Sequence, residues 1–193
     1  MSLIPAFEIG VWNAWILTLY PLLHPLVMVL IDKAVGTGDI SKKMENFAHS
    51  KVDKINFIFT DFILFFGLFI YSIFLPLQLG TAWFYTGLAL CVLGVIVWTT
   101  AIVNVAKVPL GEPFTGGIYR YSRHPMTLSS FLIYAGAGIA SASWIFLLLT
   151  IVLIILTLTL TRAEERHCLE KYGNAYQEFM TRTPKWIGLP KSG

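Results

Sequence analysis

The sequence predicts an all-α polytopic membrane protein with about five transmembrane helices, and three observations lead to this prediction. Hydrophobic residues make up 56% of the 193 residues and charged residues only 13%, more apolar surface than a soluble domain of this length can bury. Most of the apolar runs are long enough to cross a bilayer. Every Lys and Arg falls on one side of the membrane when the runs are numbered as alternating crossings. We therefore treat residues 1–193 as a single integral membrane domain.

The apolar runs are expected to be helices, because backbone N–H and C=O groups need internal partners inside hydrocarbon. The predicted spans are about 9–31, 55–79, 82–106, 125–140 and 143–161. The fourth span rises only about 24 Å at 1.5 Å per residue, which is short of the roughly 30 Å hydrocarbon core. Small residues from Gly136 to Ser143 are expected to form a turn after it. The last two spans should therefore form a tight hairpin.

The basic residues predict the orientation of the chain. Five lie between spans one and two, three between spans three and four, and six after span five, which accounts for all 14. The positive-inside rule makes this side cytoplasmic. We expect a multi-pass protein of the cell membrane with its N-terminus outside and its C-terminus and active site in the cytoplasm. Residues 40–50, between the first two spans, are expected to form an interfacial helix.

The polar stretch 116–127 is enclosed by apolar segments and is the first candidate site. Pro125 suits the first turn of a helix, where its missing N–H would be unpaired in any case. The free N–H groups of the next residues, Met126 to Leu128, would then form an anion site that fits an amino acid carboxylate. His124 is expected to cap the helix or to donate to the same anion. The simpler alternative is that His124 and Thr127 only complete the helix terminus.

Tyr119 offers an aromatic face and a hydroxyl group to a ligand at the same membrane edge. Interfacial tyrosine belts are common in membrane proteins, so on its own this residue favours a structural role. Of its neighbours Arg120 and Arg123, at least one is expected to bind anionic lipid head groups.

A second polar cluster follows the fifth span and contains Arg162, Glu164 and Glu165. On a helix Arg162 and Glu165 share a face, while Glu164 turns away by about 200° from Arg162. One carboxylate can therefore pair with Arg162 while the other faces a pocket. A fixed guanidinium can hold a substrate carboxylate in a bidentate grip, and a free carboxylate attracts a cation. The alternative is a surface ion-pair cluster of little energetic value.

Together the two clusters resemble the isoprenylcysteine carboxyl methyltransferase family. The resemblance rests on Gly117-Ile118-Tyr119 with Pro125 six residues after the Tyr, on Arg123-His124-Pro125, and on the later Arg162 and Glu164-Glu165. It covers roughly residues 104–186, the expected cofactor-binding part. Thr127 departs from the family pattern, which usually has Tyr two residues after the Pro.

The resemblance implies S-adenosyl-L-methionine as cofactor and the carboxylate of an isoprenylated cysteine as methyl acceptor. The lipophilic acceptor would come laterally from the bilayer among membrane lipids. The implied catalytic residues are those of the second cluster. The cofactor residues implied by the motif and by the family pocket are Asn104, Gly111, Glu112, Pro113, Phe114, Tyr119, His124, Pro125, Met126, Thr127 and Glu164.

Other functions remain open at this stage. Methylation of an amine lipid head group would need a carboxylate or water to accept a proton, and Glu164 or Glu165 is available. A membrane sterol reductase would need nicotinamide contacts that are not recognisable. A small transporter would use His24 and Asp61 as polar groups at membrane depth, although the prolines beside His24 favour a kink. The sequence has no CxxC, HExxH, Walker or GxGxxG motif, and neither a metal nor a nucleic acid is expected as a partner.

Overall fold

The chain folds into a bundle of helices with a polar layer at one end. The computed structural model describes residues 8–35, 40–44, 55 and 65–190. The described residues form no strand, only an isolated antiparallel bridge between Asn13 and Pro76. The helices are α1 (Trp15–Val35), α2 (Ile40–Met44), α3 (Phe65–Ser72), α4 (Ala82–Lys107), α5 (Pro125–Ala140), α6 (Trp144–Tyr172) and α7 (Asn174–Arg182). The predicted all-α class is confirmed.

Three of these helices are long and apolar enough to cross a membrane, namely α1, α4 and α6, and α5 is a shorter apolar helix of 16 residues. The polytopic membrane architecture is therefore confirmed. Helix α6 has 29 residues and runs past the predicted end at 161, so the second polar cluster lies in its last turns. Exposed Val92, Ile96, Leu148 and Ile155 on α4 and α6 provide surface for lipid contact.

The second predicted span departs from its expected bounds. Helix α3 ends at Ser72, and the chain from Ile73 to Thr81 is irregular rather than helical up to residue 79. Asn13 explains the early end, because its side-chain amide donates to the carbonyl of Ile73, at 2.7 Å. The beginning of this span, Asp61 included, lies outside the described residues. Of the predicted interfacial helix 40–50, α2 is described and the rest is not.

The ends of the helices gather in two groups. At one end Leu77 N donates to Trp12 O and Gln78 N donates to Ala140 O, which joins the start of α1, the link before α4 and the end of α5. At the other end Lys43 Nζ donates to Ala106 O at 2.9 Å, next to the clusters around Tyr119 and His124. We name this second group the polar end. Helices α1, α4 and α6 therefore all run towards the polar end, and the shorter α5 runs the opposite way between α4 and α6.

Helices α4 and α5 pack together through glycines. A Cβ atom on Gly87 would collide with the carbonyl oxygen of Gly136, and a Cβ atom on Gly136 would lie 2.6 Å from the Gly87 oxygen. Close approach of this kind is typical of helix pairs in membranes. The prediction that residues 136–138 belong to a turn is wrong, because they lie inside α5. The turn is confined to Ser141–Ser143, where the Ser143 side chain caps α6 by accepting from Phe146 N.

Candidate functional site

Tyr119 is held in place by a tight turn at the polar end. It lies in a 3-10 helix, Gly117–Arg120, that follows the irregular segment after α4. Asn104 on α4 accepts a hydrogen bond from Ile118 N at 2.7 Å, which fixes this turn against the helix. Gly117 has φ +59°, and a Cβ atom there would collide with the Asn104 side chain. Only glycine fits both conditions, which explains the Gly that precedes Ile118-Tyr119.

The segment 121–124 is positioned by the C-terminal part of the chain. Arg123 N donates to Pro184 O, and Gly188 N donates to Tyr121 O, both at 3.1 Å. The Trp186 ring lies 5.7 Å from the His124 ring, measured between centroids. These contacts bring His124 beneath an irregular C-terminal segment, 183–190.

His124 lies between the two glutamates of α6. Its Nδ1 atom is 3.3 Å from Glu164 Oε2, and its Nε2 atom is 3.1 Å from Glu165 Oε1. A ring that donates from both nitrogens carries a proton on each, so this geometry favours the imidazolium form. Burial lowers the pKa of His124, but its bonds to Glu164 and Glu165 outweigh this effect and raise the pKa above its ordinary value. The expected side-chain cap of α5 by His124 is absent.

The two glutamates have different surroundings. Glu165 also contacts Arg123 Nη1 at 2.9 Å and Lys185 Nζ at 3.1 Å, so three cations surround one carboxylate. Glu164 pairs with His124, and 37% of its side chain is exposed, against 12% for Glu165. Glu164 is therefore the carboxylate with capacity left for a further cation.

A cavity opens between these groups at the polar end. Its volume is about 70 Å³. Its lining combines apolar and polar side chains and consists of Val105, Pro113, Phe114, Tyr119, Arg123, His124, Pro125, Met126, Thr127, Glu164, Cys168, Tyr172, Tyr176 and Phe179. Burial, and next the charge of Glu164, raise the pKa of Tyr119 above its ordinary value, so its hydroxyl stays protonated and can donate.

The structure brings most of the predicted site residues to this cavity. Pro113, Phe114, Tyr119, Glu164 and the whole stretch His124–Thr127 line it. The prediction that the Leu128 N–H is free is wrong, because Leu128 N donates to His124 O. The N–H groups of Met126 and Thr127 precede this first bond and have no acceptor within α5.

Five predicted residues, Glu165 among them, do not line this cavity. Asn104 is occupied in fixing the 3-10 turn, and Gly111 and Glu112 are exposed on the irregular segment beside it. Arg162 is exposed. The expected pairing of a cluster carboxylate with Arg162 is wrong for Glu165, because Arg123, His124 and Lys185 surround that carboxylate instead.

Sequence reasoning missed several residues of the lining. For Arg123 the sequence predicts head-group binding and no place in the cavity. It does not predict the lining residues Val105, Cys168, Tyr172, Tyr176 and Phe179. Tyr176 and Phe179 are buried on α7, a helix with few apolar residues. Their spacing of three on a polar helix was the one available signal that α7 packs on the bundle.

A second, larger groove adjoins the cavity within the membrane-spanning part. Its volume is about 360 Å³, and it shares Met126 and Thr127 with the cavity. Its lining is mainly apolar and comes from helices α1, α3, α4, α5 and α6: Pro21, Leu22, His24, Pro25, Phe65, Phe66, Trp98, Met126, Thr127, Ser130, Leu153 and Thr157. A polar cavity therefore meets an apolar groove at the start of α5.

Comparison with known proteins supports a class of enzyme. The described residues combine apolar helices that are long enough to span a membrane with a polar cavity at one end and an apolar groove beside it. Residues 82–175, just under half of the chain, match the model of the family described as PEMT, phospholipid methyltransferase. No curated protein matches the chain. The match supports the predicted class, a membrane methyltransferase, while the isoprenylcysteine specificity stays a prediction.

Proposed function

We propose that this protein transfers a methyl group from S-adenosyl-L-methionine to the polar head of a membrane lipid, with an amine head as the acceptor. One observation carries the proposal: the open carboxylate of Glu164, the free N–H groups of α5 and the buried Tyr119 hydroxyl meet in one cavity that continues into an apolar groove. The match to a phospholipid methyltransferase family supports the amine head.

The donor set fits the cofactor in its chemistry. The N–H groups of Met126 and Thr127 would hold its carboxylate, and Glu164 would hold its ammonium group. Phe114 and Tyr119, whose ring centroids are 6.1 Å apart, offer aromatic faces for an adenine ring. Because ligand pockets usually enclose about 300–1,000 Å³, a cavity of about 70 Å³ has to widen. The irregular wall that contains Pro113 and Phe114 is the part with no helix to restrain it.

The bound cofactor supplies an activated methyl group on a positively charged sulfur. The chain orients the acceptor in line with that group and excludes water through the buried residues of α4 and α5. An amine acceptor gives up one proton for each methyl group gained. Because Glu164 would hold the ammonium group of the cofactor, that proton would pass to water at the exposed side of the cavity. Glu165 is unsuited to accept the proton, because Arg123, His124 and Lys185 hold its charge.

The test is ligand binding followed by methyl transfer. Purified protein in detergent should bind S-adenosylhomocysteine in calorimetry and gain thermal stability from it, while NADPH has no effect. Labelled methyl groups should pass from S-adenosylmethionine to dioleoyl phosphatidylethanolamine. Binding of NADPH without binding of S-adenosylhomocysteine would overturn the proposal and favour a reductase.

One observation favours a second kind of methyl acceptor. Arg123 lines the cavity, and its Nε atom is buried without a hydrogen-bond partner among the described residues. A guanidinium with a free donor can hold a carboxylate, the acceptor group of an isoprenylated cysteine. In this alternative Arg123 takes the role that the sequence assigned to Arg162. Methyl transfer to N-acetyl-S-farnesylcysteine but not to the amine phospholipid would identify it.

A further inference from the structure

The groove that adjoins the cavity contains two polar atoms that the helices leave unsatisfied. His24 Nε2 on α1 and Trp98 Nε1 on α4 are both buried, and neither has a hydrogen-bond partner among the described residues. The two rings are neighbours, with centroids 5.3 Å apart. Both residues line the groove. Buried polar atoms are nearly always paired in proteins, so two unpaired atoms side by side indicate a missing partner.

The pair lies in a mainly apolar groove. Leu22, Phe65, Phe66 and Leu153 line it together with Thr127, Ser130 and Thr157. Polar side chains at membrane depth are costly and are usually functional. The prolines near His24 account for one missing backbone hydrogen bond in α1, because Pro25 has no N–H for the carbonyl of Pro21. They do not explain why two residues that line the same groove each keep an unpaired nitrogen atom.

The chemistry of the pair defines what it can hold. The indole nitrogen of Trp98 is a donor only, so its partner must be an acceptor such as an oxygen. The imidazole nitrogen His24 Nε2 donates as well when the proton lies on it. A diacyl glycerolipid carries two ester carbonyl oxygens next to its acyl chains. Those carbonyls match two donors in an apolar groove, and the head group would then extend towards Met126 and Thr127.

We propose that the groove is the acceptor site and that His24 and Trp98 bind the ester carbonyls of a diacyl glycerolipid. This inference rests on the proposed function, because the continuity of the groove with the cofactor cavity is what makes its occupant the methyl acceptor. His24 and Trp98 are positioning residues, since they hold the lipid backbone away from the reacting atoms. The pair thereby selects ester-linked lipids over ether-linked ones.

The experiment compares two lipids and two substitutions on the full chain in detergent. Dioleoyl phosphatidylethanolamine and its diether analogue differ only in the ester carbonyls. Trp98→Phe keeps the ring and removes the donor, and His24→Phe is a second variant. Trp83→Phe is the matched control, because Trp83 is an exposed residue of the same helix. Lipid retention is measured by native mass spectrometry, the KM for lipid by methyl transfer, and S-adenosylhomocysteine affinity by calorimetry.

The wild-type protein should retain the diester about 5–10-fold better than the diether, the size expected for one or two hydrogen bonds. Trp98→Phe and His24→Phe should each lose most of this preference and raise the KM for the diester, while kcat and S-adenosylhomocysteine affinity stay near wild type. Equal retention of the two lipids by the wild-type protein, or an unchanged preference in both variants, would overturn the inference. If the two variants lose S-adenosylhomocysteine affinity to the same extent as lipid retention, His24 and Trp98 have a structural role and the inference is wrong.

Failure of the proposed function gives a different result. The preference for diester over diether in native mass spectrometry requires no methyl transfer. Suppose that the wild-type protein shows this preference, that Trp98→Phe loses it, and that no S-adenosylhomocysteine binds. The proposed lipid site would then stand, and the proposed methyl transfer would be refuted.

Discussion

At the scale of single residues, the site depends on the different surroundings of two adjacent carboxylates. Glu165 on α6 contacts the neighbours Arg123 and His124 and the distant Lys185, so it joins three parts of the chain at the site. Glu164 keeps a partly exposed oxygen pair beside Tyr119 and Met126 in the cavity. A ligand cation therefore has one carboxylate to bind.

We predict that Glu164→Gln weakens S-adenosylhomocysteine binding about tenfold or more, because a charge-assisted bond to the ligand ammonium is lost. Arg162→Ala is the matched control on the same helix, since Arg162 is exposed and does not line the cavity, and its affinity should stay near wild type. Calorimetry measures both. Wild-type affinity in Glu164→Gln would remove this residue from the site, and loss of affinity in Arg162→Ala would restore the role predicted from the sequence.

We predict that His124 titrates above the ordinary histidine pKa of about 6.5, and that Glu165→Gln lowers this pKa. A pKa raised by folding means that the imidazolium stabilises the protein fully below about pH 6.5, and that this contribution is lost as the pH rises through the raised value. NMR of labelled histidine in micelles gives the pKa, with His124→Gln for assignment. At acidic pH the wild-type protein should unfold at a higher temperature than His124→Gln, and this difference should shrink as the pH rises. A His124 pKa in Glu165→Gln that equals the wild-type value would contradict the ion pair between His124 and Glu165.

The sequence could predict the residues of the site that stand at the ends of consecutive spans. Tyr119, His124, Thr127 and Glu164 meet because antiparallel helices bring those ends together. It could not predict the partners of Glu165. Helical spacing favours Arg162, but Lys185 belongs to an irregular segment whose placement depends on tertiary contacts with residues 121–124. Three nearby cations then outweigh one weak pair on the helix surface.

At the scale of elements, the polar end is held in position by the contact between α4 and α5. Gly87 and Gly136 let the two backbones touch, and Cys91 Sγ donates to Ile133 O at 3.3 Å in the same interface. Helix α4 carries Asn104 and α5 begins at Pro125, so this contact fixes the distance between the 3-10 turn and the anion site. The sequence predicted both helices correctly and misread the glycines of α5 as a turn, because small residues that end a helix and small residues that pack it have the same composition.

We predict that Gly87→Ala destabilises the protein by about 1–3 kcal/mol, since the added methyl group collides with the Gly136 backbone. Gly67→Ala on α3 is the control, because a Cβ atom there meets nothing within 4 Å. Thermal unfolding in detergent should show a lower midpoint for the first variant and an unchanged or slightly higher one for the second. Equal midpoints for Gly87→Ala and wild type would show that the two helices can separate without cost.

At the scale of the whole molecule, the two ends of the bundle differ in charge. Every described Lys and Arg lies in α2, in α7, in the segments around the cavity, or in the parts of α1, α4 and α6 next to the polar end. The opposite end is built from uncharged contacts, such as those between Trp12 and Leu77 and between Gln78 and Ala140. The hydropathy and the positions of the charged residues were sufficient to predict this difference between the two ends, because charged side chains are costly to place in hydrocarbon.

We predict that the polar end faces the cytoplasm. Leu79→Cys and Leu110→Cys place single thiols at exposed positions on the opposite end and beside the polar end, respectively, in a background with Cys91→Ala and Cys168→Ala. An impermeant maleimide should label Leu79→Cys on intact cells and should label Leu110→Cys only after permeabilisation. The reason is that basic loops are retained on the cytoplasmic side, where the cofactor is also made. The reverse pattern would place the cavity outside, away from its methyl donor, and would contradict both the orientation and the proposed methyl transfer.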